Sequence, residues 1–207
     1  MAIASFFNSL TLDKLKAAYG KKGYAFFEKG DYNLNIFGIR NEEQRDANTF
    51  NDIVGIAFKV NGKWVLKKYD ATTDPGLYWR NNLCNVYGTG ILVPGQYRGG
   101  WRIGMHQGKY RALVQNKPVQ VYRDKNRDSH LDMDPKTIQT GMFGINIHRA
   151  TANPGFASKL VDRFSAGCSV IAAANDFQEF MSIVDKSAKI FKSDVFTYTL
   201  FKQSDVF

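Results

Sequence analysis

The sequence predicts a mainly β protein of the α+β class. Many short apolar runs are broken by turn residues, and two stretches have helical spacing. The hydrophobic fraction is 44%, enough to fill a real core, with Phe and Tyr carrying most of the aromatic weight. A chain of 207 residues suits one domain, or one domain with a small extension. Residues 1–50 are expected to form an N-terminal extension or cap on a core domain spanning 51–207.

The elements follow in order. Thr11 can cap a helix from Leu12 to Tyr19 that Gly20 ends, with Leu12, Leu15 and Ala18 or Tyr19 on one face. Leu34–Ile39 and Ile53–Val60 read as strands. Trp64–Tyr69 follows through an Asn61-Gly62 hairpin turn. Thr72 to Gly76 is a turn built on Pro75 and Gly76, and residues 77–91, rich in Asn and Gly, read as a surface loop. Further strands are expected at 96–105, 110–115, 118–122 and 142–148. A helix from Asn175 to near Phe191 places Phe177, Phe180, Met181, Val184 and Ala188 on one side, and a strand covers Val195–Phe201.

Chemistry concentrates between Gly141 and Ile171. An apolar run ends in His148, and after sixteen intervening residues comes the turn Ser165-Ala166-Gly167-Cys168. A thiolate, not a thiol, is the nucleophile, and a histidine beside it can take the proton. Small residues at 166 and 167 would let a carbonyl approach the backbone N–H groups beside the sulfur. Ordinary burial explains the same cysteine, because Val-Ile-Ala-Ala-Ala is a core-like continuation from position 170 once Ser169 is passed.

This signature resembles that of the L,D-transpeptidases, the YkuD-type cysteine enzymes of peptidoglycan. There an apolar strand ends in a histidine and a Ser/Thr-His-Gly-Cys turn follows at about this distance. Leu92 to Tyr97 is similar to the family's Thr-Pro-Gly-x-Tyr/Phe segment, Phe143 to His148 to its strand into the histidine, and Asn175-Asp176-Phe177 to the start of its following helix. The likeness covers roughly residues 53 to 191, and its specific part is the His-to-Cys segment. It implies a curved β-sandwich with an N-terminal helical piece and one long helix after the catalytic cysteine. It also implies Cys168 as nucleophile, His148 as base, Gly167 with Cys168 as oxyanion donors, and Ser165 as orienter of the turn or the histidine. The substrate implied is a peptidoglycan stem peptide, cleaved by water (carboxypeptidase or endopeptidase) or joined to a second stem (transpeptidase). No cofactor is required for that chemistry.

Two departures bear on the substrate. Ala166 stands where the family has histidine, and Ser169-Val170 stand where it has an apolar residue followed by Arg or Asn. Arg149 could supply the missing positive group for a carboxylate. His106 is the alternative base, with Trp101, Arg102 and Tyr110 lining a groove beside it. A rival of another class is a wall-binding or virion structural module that keeps the fold without the chemistry.

The formal net charge of +9 favours polyanions, yet the Lys and Arg residues are scattered, so no specific nucleic-acid partner is expected. No apolar run is long enough for a membrane span. Residues 1–8 lack a basic n-region and an apolar h-region, so the chain is expected to be made without a signal peptide. It would be cytoplasmic or virion-associated and reach the cell wall after release or delivery. That route fits a bacteriophage lysis protein such as an endolysin, or an injected effector, and favours hydrolysis. Cys84 reads as a half-buried core residue. Asp124, Asn126, Asp128 and Asp132 place oxygen donors at alternate positions, as in calcium loops, so a structural calcium is one reading; a hairpin tip stabilised by Asx turns is the other.

Overall fold

Eight strands close on themselves in the computed structural model, which describes residues 7–44 and 48–207. Residues 1–6, most of the stretch read for a leader, lie outside it. The protein is mainly β with some helices, as expected, but the sheet is a closed barrel and not specifically a curved sandwich. The strands are β1 (Asn35–Arg40), β2 (Asp52–Val60), β3 (Lys63–Thr72), β5 (Gly95–His106), β6 (Tyr110–Gln115), β9 (Ile147–Arg149), β10 (Ser169–Ile171) and β11 (Val195–Lys202). A smaller sheet holds β4 (Thr89–Leu92), β7 (Val119–Asp124) and β8 (Gln139–Gly141). Closure follows from β1, which pairs antiparallel with β2 and parallel with β11, leaving no free edge.

Helix α1 (Leu12–Lys21) starts as expected, with Thr11 Oγ1 accepting from Lys14 N at 3.3 Å. It buries Leu15, Ala18 and Tyr19 against Phe37, Ile39, Ile53 and Phe201. That contact buries β1 and most of β2 on both faces: residues 36, 54 and 56 point into the larger core while 37, 39 and 53 meet α1. A fully buried side chain such as Leu15 contributes roughly 1.5–3 kcal/mol. Helix α3 (Ala174–Phe191) packs Phe177, Phe180, Met181 and Val184 into the larger core. Two shorter helices are α2 (Leu77–Asn81) and α4 (Gln203–Val206).

The Asn61-Gly62 hairpin forms, with φ of 49° and 75°, as a type I′ turn requires. Two expectations fail. Residues 77–91 are not one surface loop: they contain α2 and end in buried β4, which pairs with β7. Gly88 makes this possible, since a Cβ there would lie 2.3 Å from the Asp124 carbonyl oxygen. Residues 142–148 are not one strand. Gly144, at φ 72°, breaks it, and the Gln115 side chain takes over the ladder's work. Its Oε1 accepts from Phe143 N (2.9 Å) and Ile145 N (3.1 Å), while its Nε2 donates to Gly141 O (2.9 Å).

A buried guanidinium joins the two sheets. Arg40, 2% exposed at the end of β1, ion-pairs with Asp74 at 2.7 Å and donates to Leu92 O at 2.8 Å and to Thr73 O at 2.9 Å. Asp52 lies beside them and accepts from Asn41 N, Thr73 N and Thr73 Oγ1. Burial, then the nearby Asp74 charge, pushes the Asp52 carboxyl up to about 7, against the opposing effect of these donors. An unfolded carboxyl releases its proton near 3.9, so the folded chain binds the extra proton between there and about 7. This contribution to stability is therefore present in acid and lost as pH rises to neutrality. We expect the unfolding free energy to drop less between pH 5 and pH 8 in Asp52→Asn than in the parent chain. Urea titrations at the two pH values measure this, and an unchanged drop would show that Asp52 is already ionised at pH 5.

Candidate functional site

The cysteine turn is set by three neighbours. Ser165, fully buried, donates its hydroxyl to Cys168 O (2.8 Å) and accepts from Gly167 N (3.1 Å). Its carbonyl accepts from Gly76 N at 2.8 Å, tying the turn to the start of α2. Gly167 has φ 124°, and a Cβ there would sit 2.3 Å from Gly90 O, so the turn lies directly against β4. Only glycine meets both demands. Past the turn, β10 runs parallel to β9 with Val170 opposite His148 and Ser169 opposite Ile147. The strand that carries the histidine and the turn that carries the cysteine are thus neighbours in the barrel wall.

The sulfur of half-buried Cys168 has backbone partners: it accepts from Asn146 N at 3.4 Å and donates to Gly144 O at 3.5 Å. Burial pushes the thiol up to about 11, and the Asn146 N–H lowers it only in part. Among the described residues no imidazole is hydrogen-bonded to it. The thiolate–imidazolium contact expected between Cys168 and His148 is therefore not made in the resting protein, because each group is held elsewhere.

His148 is 4% exposed. Its Nδ1 lies 2.9 Å from Arg149 O and 3.2 Å from Tyr110 Oη. A carbonyl can only accept, so the proton is on Nδ1 and Nε2 carries the lone pair. Burial, followed by the charge of His106, pushes its pKa down to about 3. His106 stacks on it with ring centroids 3.9 Å apart and planes at 20°. Asn146 settles the second tautomer. Its Oδ1 accepts from Gln115 N at 2.9 Å, so its Nδ2 donates to His106 Nδ1 at 3.0 Å. Burial and then Lys109 depress His106 as well. Two neutral imidazoles face one another, and a charge on either would be poorly solvated.

The remaining expected residues are dispersed. Arg149 places its guanidinium 4.3 Å above the Tyr110 ring. Trp101 lines no groove: it is fully buried and donates Nε1–H to Ile145 O at 2.9 Å. Arg102 is exposed and pairs with Asp194 at 3.0 Å. Ser169 is buried with its hydroxyl 3.0 Å from Tyr198 Oη, and Val170 belongs to a small cluster with Phe50 and Val161. Cys84, read as half-buried, is exposed. Asn146 and Gln115 carry the site's hydrogen bonding yet drew no attention in the sequence. The one available signal for Asn146 was its place two residues before His148, on the same face of a strand.

In the Asp-rich loop, Asn126 Nδ2 donates to Asp128 and Asp132, each at 2.8 Å, and Asp128 accepts from His130 N at 2.8 Å. Asp124 is buried, and Asp132 N lies 3.5 Å from its carboxylate. An amide thus bridges the two carboxylates at the centre of the loop. Among the described residues no group of three or more His, Cys, Asp or Glu side chains is placed to hold a metal.

Compared with models of known protein families, with curated proteins and with solved structures, the chain matches none.

At pH 7, iodoacetamide should label exposed Cys84 well before Cys168, as followed by peptide mass spectrometry; preferential labelling of Cys168 would mean a thiolate in the resting state. Gly167→Ala combines a strained φ, worth about 1–3 kcal/mol, with a backbone collision. Its urea midpoint should fall clearly below that of Gly144→Ala, whose Cβ would meet open space.

Proposed function

We propose that this chain is a cysteine-dependent acyl-transfer enzyme acting on peptidoglycan stem peptides, in a barrel that is a closed counterpart of the L,D-transpeptidase curved sandwich. The observation that carries the proposal is the state of His148. It sits on the strand paired with the one Cys168 leads into, with Nδ1 on Arg149 O and Nε2 free to accept a proton.

Bound substrate brings the two resting groups together. The Cys168 sulfur attacks the amide carbonyl of an L,D-configured linkage as its proton passes to His148 Nε2. The carbonyl oxygen becomes an oxyanion held by the Cys168 N–H. Gly167 N–H is already committed to Ser165 Oγ, so it is a weaker candidate than sequence alone suggested. Ser165 orients the turn. The C–N bond breaks as His148 returns the proton to the leaving amine, and water or a second amine resolves the thioester. Burial and the stacked His106 both oppose a charge on His148, so the imidazolium forms only in passing. Hydrolysis is the favoured outcome, in a lysis or cell-entry role on the bacterial wall.

A second reading, a wall-binding or virion structural module, draws on one observation: a thiol at about 11 with no imidazole bonded to it is poorly activated at rest.

Mass spectrometry of purified peptidoglycan fragments separates the two. Wild type should remove terminal D-Ala or open a cross-link, Cys168→Ala should do neither, and His148→Ala should be slower by about 10²–10⁴-fold. Because His148 is neutral above about 3, the wild-type rate should not fall as pH drops from 8 to 5, whereas a base of ordinary pKa would lose activity there. Fragments left unchanged by every variant on several wall types would favour the binding module.

A further inference from the structure

We propose that the long groove along α3 binds an extended acidic peptide, with its carboxylates against Arg149 at one end and Lys189 at the other. The groove encloses about 840 Å³. One wall is a single helical face that includes Ala174, Phe177, Gln178, Met181, Asp185 and Lys189; Tyr110, Arg111, Arg149 and Pro154 form the other. From Ala174 to Lys189 the helix advances about 22 Å at about 1.5 Å per residue, matching about six or seven extended residues.

Its charge is one-sided. Arg111, Arg149, Lys186 and Lys189 line it against the single carboxylate of Asp185, which is paired with Arg111. Lys186 Nζ sits 4.4 Å over the Tyr32 ring. Arg149 lies over the Tyr110 ring and brings its guanidinium charge to that end of the groove. Phe177 and Met181, largely buried, form the apolar base of that helical wall, and Gln178 and Ser182 offer partners for backbone amides. Few cations over an apolar floor suit a peptide better than a phosphate backbone, which carries a charge at every step. Tyr110 connects the groove to the candidate site, since its hydroxyl touches His148 Nδ1 at 3.2 Å. In purpose the inference rests on the acyl-transfer reading, and it names where the peptide substrate lies.

The test uses the full chain carrying Cys168→Ala and a fluorescein-labelled hexapeptide of alternating glutamate and alanine, read by anisotropy. Adding Arg149→Gln and Lys189→Gln together should weaken binding by at least about tenfold, as loss of two charge-assisted contacts implies. Lys63→Gln, at the exposed hairpin tip, should leave it unchanged. The inference is overturned by absent binding, by equal binding of a lysine–alanine hexapeptide, by tighter binding of hexathymidylate, or by a Lys63→Gln effect as large as that of the groove variants. Since the probe is not a wall fragment and the thiol is absent, this readout fails or succeeds independently of wall cleavage.

Discussion

The architecture turns on one buried cation. Arg40 ends β1, but its guanidinium reaches the main chain of Thr73 beyond β3 and of Leu92 in β4 and pairs with Asp74, so a single side chain joins the barrel to the smaller sheet. Removing either partner of such a pair typically costs about 3–5 kcal/mol, because the other is left charged in a low-dielectric interior. The site depends on this junction. Gly90 in β4 is the surface against which the Gly167 turn rests, and β4 is held to the barrel partly through Leu92. Displacement of β4 would leave the cysteine without its backstop.

Two side chains do the work of backbone around Cys168. Gln115 satisfies three main-chain groups in the broken segment before β9, and Asn146 links Gln115, His106 and, through its own N–H, the Cys168 sulfur. Burial, with Nδ1 of each imidazole and the sulfur already bonded, holds the imidazole pair neutral and the thiol protonated. Such a site is electrically quiet at rest.

Much of this was legible in the residues. The hairpin at Asn61-Gly62, the Thr11 cap and the apolar stripe of α3 are local codes, and local codes survive folding. The small-residue turn at Ser165–Cys168 was also local, whereas the strand expected over 142–148 shrinks to Ile147–Arg149, which pairs with Ser169–Ile171. What escaped reading was non-local. Thr89 to Leu92 is a strand because β7 pairs with it, and Asn and Gly around it suggested a loop. Gln115 looks like any strand-end glutamine until Gly144 breaks the facing segment. Trp101 had the composition of a binding residue, and only the packing around it shows a core residue.

The parallel pairing of β1 with β11 has a consequence in time. Ile36 is registered with Tyr198, so the wall of the barrel remains open during synthesis until β11 has emerged. Contacts this distant carry a large loop-closure cost and slow the search for the native topology. Until β11 arrives, the apolar faces of β1 and β5 are unpaired edges on the nascent chain, open to other strands. The hairpin of β2 and β3 can form early. The pairing of the strand after the cysteine turn with the histidine strand needs only residues up to Ile171, so the candidate site can take shape in a barrel whose wall is still open.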